Sequence, residues 1–318
     1  MKSLPLNMSD TAFSMVLRNI DLAEVVKFIN WTYFFSAWRI HGIYPGIENL
    51  CGCEACLQKW LLQFQPEMRE KALEAKRLYS EAVEKLKKLS ESGTLQIDAI
   101  VLICDAKAEN EGITIYTDNK EKSVHLPMLR QQHPNETNGF CISLSDFISE
   151  KHDSIGIFAV SVRGADRIAE EYAKAGDDFN ALLVKSLADR LAEAASEWLH
   201  RETRKKIWGY APDENLSIEE IHKCKYQGIR PAVGYPSIPD QSILFELDKI
   251  LDLRQIGITL TENGAMSPAS SICGLYISHP KSFYFMVGEI GEDQLNDYAK
   301  RRDMQPDKLR KFLSCRCS

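Results

Sequence analysis

The run Ile97-Asp-Ala-Ile-Val-Leu-Ile-Cys104 constrains the fold more than any other segment, because a β-branched stretch of this length suits a buried strand. Ile113-Thr-Ile-Tyr-Thr117 alternates in the manner of a half-buried strand, and Ser154 to Val162 supplies another. A sheet therefore starts near residue 97. The segment before it is helical: Ala72, Leu73, Leu78, Tyr79, Ala82, Val83, Leu86 and Leu89 make one amphipathic face that ends near Gly93. The spacing of Val16, Ile20, Leu22, Val25, Val26 and Ile29 predicts a further helix, which leads into an aromatic run from Trp31 to Trp38.

After the third strand the pattern predicts a helix from about Asp166 to Trp208 with a break at Gly176. Ser217-Ile-Glu-Glu220 is a capping box and starts a short helix. A helix over 243–253, a strand at 257–261, a hairpin from Ser270–Ile277 to Ser282–Val287, and two short helices from Asp293 and Pro306 complete the expectation. Variable connections in place of regular βαβ units favour an α+β fold in a single domain over residues 1–318.

The chain has 318 residues, a net charge of −6 and 44% hydrophobic content, which suits a globular protein with a substantial core. Without a long basic run it lacks the clustered cations that phosphate neutralisation needs, so no nucleic-acid partner is expected. Arg201 to Lys206 reads as the solvated end of a helix. MKSLPLNMSD is too polar for a signal peptide, and Arg18, Asp21, Glu24 and Lys27 interrupt the next apolar stretch, so the reading is cytoplasmic with no membrane partner. Nine scattered cysteines suggest reduced thiols rather than a disulfide framework.

No nucleophile elbow, Walker loop, zinc-protease helix or dinucleotide fingerprint occurs, and the seven histidines have no metal-ligand spacing. No residue is expected to act as a catalytic acid, base or nucleophile. One loop does stand out: Gly228-Ile-Arg-Pro-Ala-Val-Gly-Tyr-Pro-Ser-Ile-Pro-Asp240. Pro231 biases Arg230 toward extended backbone, Pro236 does the same to Tyr235, and Gly234 allows close approach of main chain. A guanidinium held this way suits a carboxylate or phosphate. An ordinary surface loop whose arginine pairs with a neighbouring acid is the competing reading.

The chain resembles the activation domain of cobalamin-dependent methionine synthase. The resemblance is densest in Leu183 to Ala195, Trp208 to Ser217 and Tyr226 to Pro236, and continues at Leu260-Thr-Glu262, Met266, Ser278-His-Pro280 and Asp297-Tyr-Ala299. It implies a C-shaped domain, a twisted antiparallel sheet flanked by helices, with a shallow S-adenosylmethionine site. It also implies a role in which one electron from a flavodoxin-type donor and a methyl from S-adenosylmethionine return cob(II)alamin, carried by another module, to methylcobalamin. Arg230 would hold the ligand carboxylate, main chain at Ala232 and Gly234 the adenosine, and Tyr235 the rim. Tyr284 and Phe285 match a pair of ligand contacts that are both tyrosine in the family's bacterial representative. Glu193 also matches a contact, although it lies on a polar helical stripe with Ser186, Asp189, Arg190, Glu197 and His200, where an exposed glutamate is unremarkable.

Two acids of the family pattern are absent: Asn30 stands before the aromatic run and Cys224 before Tyr-Gln-Gly. The loop tail differs too, and Gln241 falls where the resemblance places docking contacts. The homocysteine, folate and cobalamin modules have no counterpart, so the chain is read as an activation subunit that does not make methionine by itself. Asn30, Cys224 and Gln241 keep a rival open, a non-catalytic S-adenosylmethionine sensor or corrinoid-protein docking module. Residues 46–92 form an apparent insertion plus the long helix, and within it Cys51, Cys53 and Cys56 offer three thiolates for zinc or an iron-sulfur cluster, with a fourth from Cys315 or Cys317.

Overall fold

A computed structural model describes residues 12–117, 122–134, 139–315 and 317, so the amino-terminal decapeptide read above lies outside the described residues. In chain order the elements are β1 (Phe13–Leu17), α1 (Leu22–Val26), α2 (Trp31–Ala37), α3 (Glu54–Leu61), α4 (Arg69–Ser92), β2 (Gln96–Glu109), β3 (Gly112–Thr117), β4 (Lys122–Pro127) and β5 (Asp153–Arg163). They continue as α5 (Ala165–Lys174), α6 (Asp178–Glu202), α7 (Ile218–His222), α8 (Ile243–Leu251), β6 (Thr259–Leu260), β7 (Met266–Ser267), β8 (Ser271–Tyr276), α9 (Glu292–Arg301) and α10 (Pro306–Arg310).

The main sheet is α+β in setting, antiparallel throughout, ordered β4-β3-β2-β5-β8, and curled into a half-barrel. Strand β2 is long enough to serve two partners end to end on one edge: Ala99 to Ile103 pair with β1, and Asp105 to Glu109 pair with β3. Its other edge pairs with β5 along nearly the whole length.

The apolar run in β2 is continuous because both its faces are covered. Ile97, Ala99, Val101 and Ile103 point into one core, built with α1, α2, α4 and α6. Ile100, Leu102, Cys104 and Ala106 point into a second core, closed by α8, α9 and α10. Strand β5 repeats the division, with Phe158, Val160 and Val162 on the first side and Ile155, Ile157 and Ala159 on the second.

Several expectations are corrected. The first helix does not reach back to Val16: residues 13–17 form β1, and Asn19 (φ 51°) followed by the N-cap Asp21 separates them from α1. Strand β4 was not foreseen. The strand at 257–261 shrinks to β6, and the hairpin has only its first arm, because residues 282–287 are not a strand. Nor is 201–206 a simple solvated helix end. It runs into a π-turn over Thr203–Ile207, in which Arg204 is fully buried. The Arg204 fork meets Glu214 through Nε (2.6 Å) and Nη2 (2.7 Å), and its guanidinium lies 4.1 Å from the Tyr226 ring centre. That two-pronged contact anchors the 208–217 segment.

Candidate ligand site

Helix α6 is buried around most of its circumference, and one polar face of it opens on a cavity of about 590 Å³. Arg190, Glu193, Ala194 and Glu197 line it at helical spacing of three and four residues. The middle of the polar stripe, Arg190 to Glu197, is therefore a cavity wall, and its far end is closed: Glu197 is 7% exposed and His200 fully buried.

The facing wall is the arginine loop, and the sheet explains its rigidity. Strand β8 has a free edge, which the loop occupies as a broken strand: Ile229 and Ile277 exchange both backbone hydrogen bonds (2.9 and 3.0 Å), Leu275 donates to the Pro231 carbonyl (3.0 Å), and Val233 donates to the Cys273 carbonyl (2.9 Å). The expected second hairpin arm is thus displaced from β8. Residues 282–287 lie outside the loop instead, where Val287 donates to the Pro236 carbonyl (2.9 Å) and Ser237 to the Phe285 carbonyl. Gly274 in β8 makes the seat possible, since a Cβ there would collide with the Pro231 oxygen and come within 2.8 Å of Ala232 Cα.

Seated this way, Arg230 turns inward. Its Nη2 donates to Glu197 at 2.8 Å, its Nη1 lies 4.0 Å from Glu193, and its backbone N–H donates to the Tyr284 hydroxyl at 2.9 Å. Burial opposes the guanidinium charge, but Glu197 foremost, with Tyr284, Tyr226 and Glu193, outweighs it and holds Arg230 ionised well above its ordinary range. Arg230 Nε and Glu197 Oε1 are buried with no hydrogen-bond partner. The Tyr235 hydroxyl donates to Glu193, and burial together with that carboxylate pushes the phenol up. Tyr226 and Tyr284 share a hydroxyl contact of 3.2 Å beneath the loop.

Two comparisons bear on this arrangement. A family model described as vitamin B12 dependent methionine synthase, activation domain, matches residues 21–303. The chain belongs to this family. Among solved structures, the crystal structure of the MetH reactivation domain bound to AdoHcy (S-adenosylhomocysteine) is 34% identical, with a TM-score of 0.82 over 100% of this chain and 93% of that chain.

Of the nine candidate residues, eight line this activation domain's cavity: Asn30, Glu193, Cys224, Arg230, Ala232, Tyr235, Tyr284 and Phe285. Gly234 does not. It sits at φ +87° in the turn closed by its N–H to the Ile238 carbonyl, with Gln241 packed where a Cβ would be. Gln241 is partly buried and donates to the Gly264 carbonyl at 3.0 Å. Tyr284 and Phe285 reach the cavity from an extended segment, not from a hairpin strand. Asn30 caps α2, its side-chain oxygen accepting from Thr32 N–H at 3.1 Å. Cys224 holds a left-handed backbone at φ 53°. Glu197, Tyr226 and His222, for which the sequence carries no site signal of its own, line the cavity as well. Glu197 follows Glu193 by one helical turn and was visible as part of the stripe, but its burial was not.

Among the described residues no helix is long and apolar enough to cross a membrane. All nine cysteines are free thiols. Cys51, Cys53 and Cys56 lie together, but the tail cannot complete their set. Cys315 and Cys317 pack on the second core, whereas Leu50 and Leu57, which flank the triad, pack on the first, across the sheet.

Proposed function

We propose that the cavity binds S-adenosylmethionine and holds its methyl group for transfer to the cobalt of a cobalamin presented by a separate module, after an electron arrives from a flavodoxin-type donor. The observation that carries this reading is the partly buried Arg230 between Glu197 and Glu193 in a cavity of ligand size, within a fold whose solved relative holds S-adenosylhomocysteine. A volume of about 590 Å³ lies within the usual range for small-molecule sites.

The residues fit the donor. Arg230 spends Nη2 on Glu197 and keeps further donors for a carboxylate. Asn30 uses its oxygen as a helix cap and Cys224 offers a thiol, so neither replaces the family's acids; Glu193 and Glu197 are the carboxylates that face the ligand's positive charges. Main chain around Ala232 meets the adenosine, and Tyr235, 47% exposed, stands at the mouth. The reduced cobalt supplies the nucleophile, and the breaking S–CH3 bond leaves its electron pair on a neutral thioether, so no protein base is required. What this chain contributes is alignment and an environment matched to a sulfonium zwitterion. The two cores share β2, β5 and β8, which supports reading residues 1–318 as one activation domain with 46–92 appended to its first core.

The test combines the chain with a cobalamin-carrying module, an electron donor and methyl-labelled S-adenosylmethionine. Label on cobalt is the expected result. Binding without transfer would replace this reading with the sensor or docking module, which the missing acids at Asn30 and Cys224 motivate.

A further inference from the structure

We infer that Cys51, Cys53 and Cys56 form a zinc site of three thiolate ligands whose fourth position is open to water or an external thiol. The three sulfurs lie within 4.8 Å of one another, and Cys51 and Cys53 Sγ are 3.3 Å apart. A tetrahedral zinc with Zn–S bonds of about 2.3 Å sets its sulfurs about 3.8 Å apart, so the triad needs only small side-chain adjustments to close on the ion.

The backbone holds this geometry independently of any ion. Gly52 at φ +81° folds Cys51 back over Cys53, and Cys53 is the N-cap of α3, where its sulfur accepts the Cys56 N–H at 3.3 Å. An N–H aimed at a ligand sulfur stabilises the thiolate over the thiol, as outer hydrogen bonds do at metal sites. The helix behind the triad is fixed: Trp60 is buried and donates from its indole to the Pro45 carbonyl at 2.8 Å.

The number of protein ligands favours zinc with an open position. Among the described residues no other histidine, cysteine or carboxylate joins the group, and iron-sulfur clusters ordinarily take four protein ligands. Binding releases three thiol protons to solvent and leaves one net negative charge on the zinc-trithiolate unit. Three protein ligands plus an exchangeable fourth is the pattern of a reactive zinc rather than a closed structural one. None of the three cysteines lines the ligand cavity, so the site is separate from the proposed donor site.

The experiment uses the full chain, purified under reducing, chelator-free conditions, for elemental analysis, followed by metal removal and titration with Co2+. About one zinc per chain is expected. Co2+ should give thiolate-to-metal charge-transfer bands and the intense visible bands of a tetrahedral ion, and these should shift when 2-mercaptoethanol is added. Cys51→Ser and Cys56→Ser, which leave the cores untouched, should each weaken the metal by more than the roughly 10–100-fold typical of losing an outer hydrogen bond. Cys141→Ser should not. Less than about a tenth of an equivalent of zinc without cobalt-thiolate bands, a disulfide within the triad under reducing purification, or zinc retained in the serine variants would each overturn the site.

Discussion

The pair Arg230–Glu197 sets both the stability of the site and its charge, and a double-mutant cycle separates the two. Its side chains are 15% and 9% exposed, so solvent screens the contact little. At 2.8 Å the attraction is about 6 kcal/mol in an effective dielectric of about 20. Desolvation of both ions offsets much of this, which leaves a coupling of about 2 to 4 kcal/mol. Glu197→Gln and Arg230→Met should each cost about that much in denaturant unfolding at neutral pH, because each strands the opposite ion in a buried setting. The double variant should cost little more than either single one. Calorimetric titration with S-adenosylmethionine reads the second role: Arg230→Met should weaken binding by about 1.5 to 3 kcal/mol, and should do so in the Glu197→Gln background as well. A coupling below about 0.5 kcal/mol would place the pair among exposed ion pairs and refute the burial argument. If Arg230→Met left affinity unchanged once Glu197 is neutral, Arg230 would be a counter-ion only and not a ligand contact.

Two further outcomes follow from particular contacts. Gly274→Ala should cost about 2 to 4 kcal/mol and lower ligand affinity, because its methyl meets the backbone of Pro231 and Ala232 and unseats the loop. Gly234→Ala meets only the movable tip of Gln241 and should cost about 1 to 2 kcal/mol, mostly for its left-handed backbone; the reverse order in denaturation midpoints would show that β8 does not seat the loop. His200 is held neutral well below its ordinary range by burial first, then by Arg204 and Arg230. It stacks on Tyr276 at 4.9 Å, and its Nε2 lies 3.3 Å from the Tyr210 hydroxyl. Below the unfolded value of about 6.5 the unfolded chain binds a proton that the folded chain refuses, so this contribution is intact above that pH and declines beneath it by up to about 1.4 kcal/mol per unit. His200→Gln should flatten that part of the stability profile, and a slope unchanged by the substitution would remove His200 from it.

What was legible in the sequence is what local chemistry decides. Helix α4 ends where the left-handed Gly93 caps it, the α5–α6 break falls at Gly176, and the Ser217 box starts α7 with both of its reciprocal bonds, as its residue types require. The buried character of β2 was legible too, since its stretch from Ala99 to Cys104 is apolar at every position and has no solvent face to spare. β1 was lost because its apolar residues also fit a helical period. Only pairing with β2, some 80 residues further along the chain, selects the strand.

The same non-locality explains the half-read site. The prolines and glycines of residues 228–240 announce a stiff arginine, but stiffness in a loop does not say which sheet edge it fills. Here it fills the edge of β8 that the expected hairpin arm would have taken, and this choice alone turns Arg230 toward α6. Once Arg230 points there, a glutamate that looked like one more member of a solvated stripe becomes its buried partner. Glu197 was therefore invisible as a site residue until the loop's partner was known, whereas Glu193, nearer the mouth, was recognisable by resemblance alone. Charge follows the same course: with Asn30 spent as a helix cap, the carboxylates that line the cavity are Glu193 and Glu197, one turn apart on α6. A site that draws its carboxylates from one helix and its guanidinium from a loop pinned to the sheet is preorganised by both elements, which suits a protein whose proposed contribution is aim rather than acid–base chemistry.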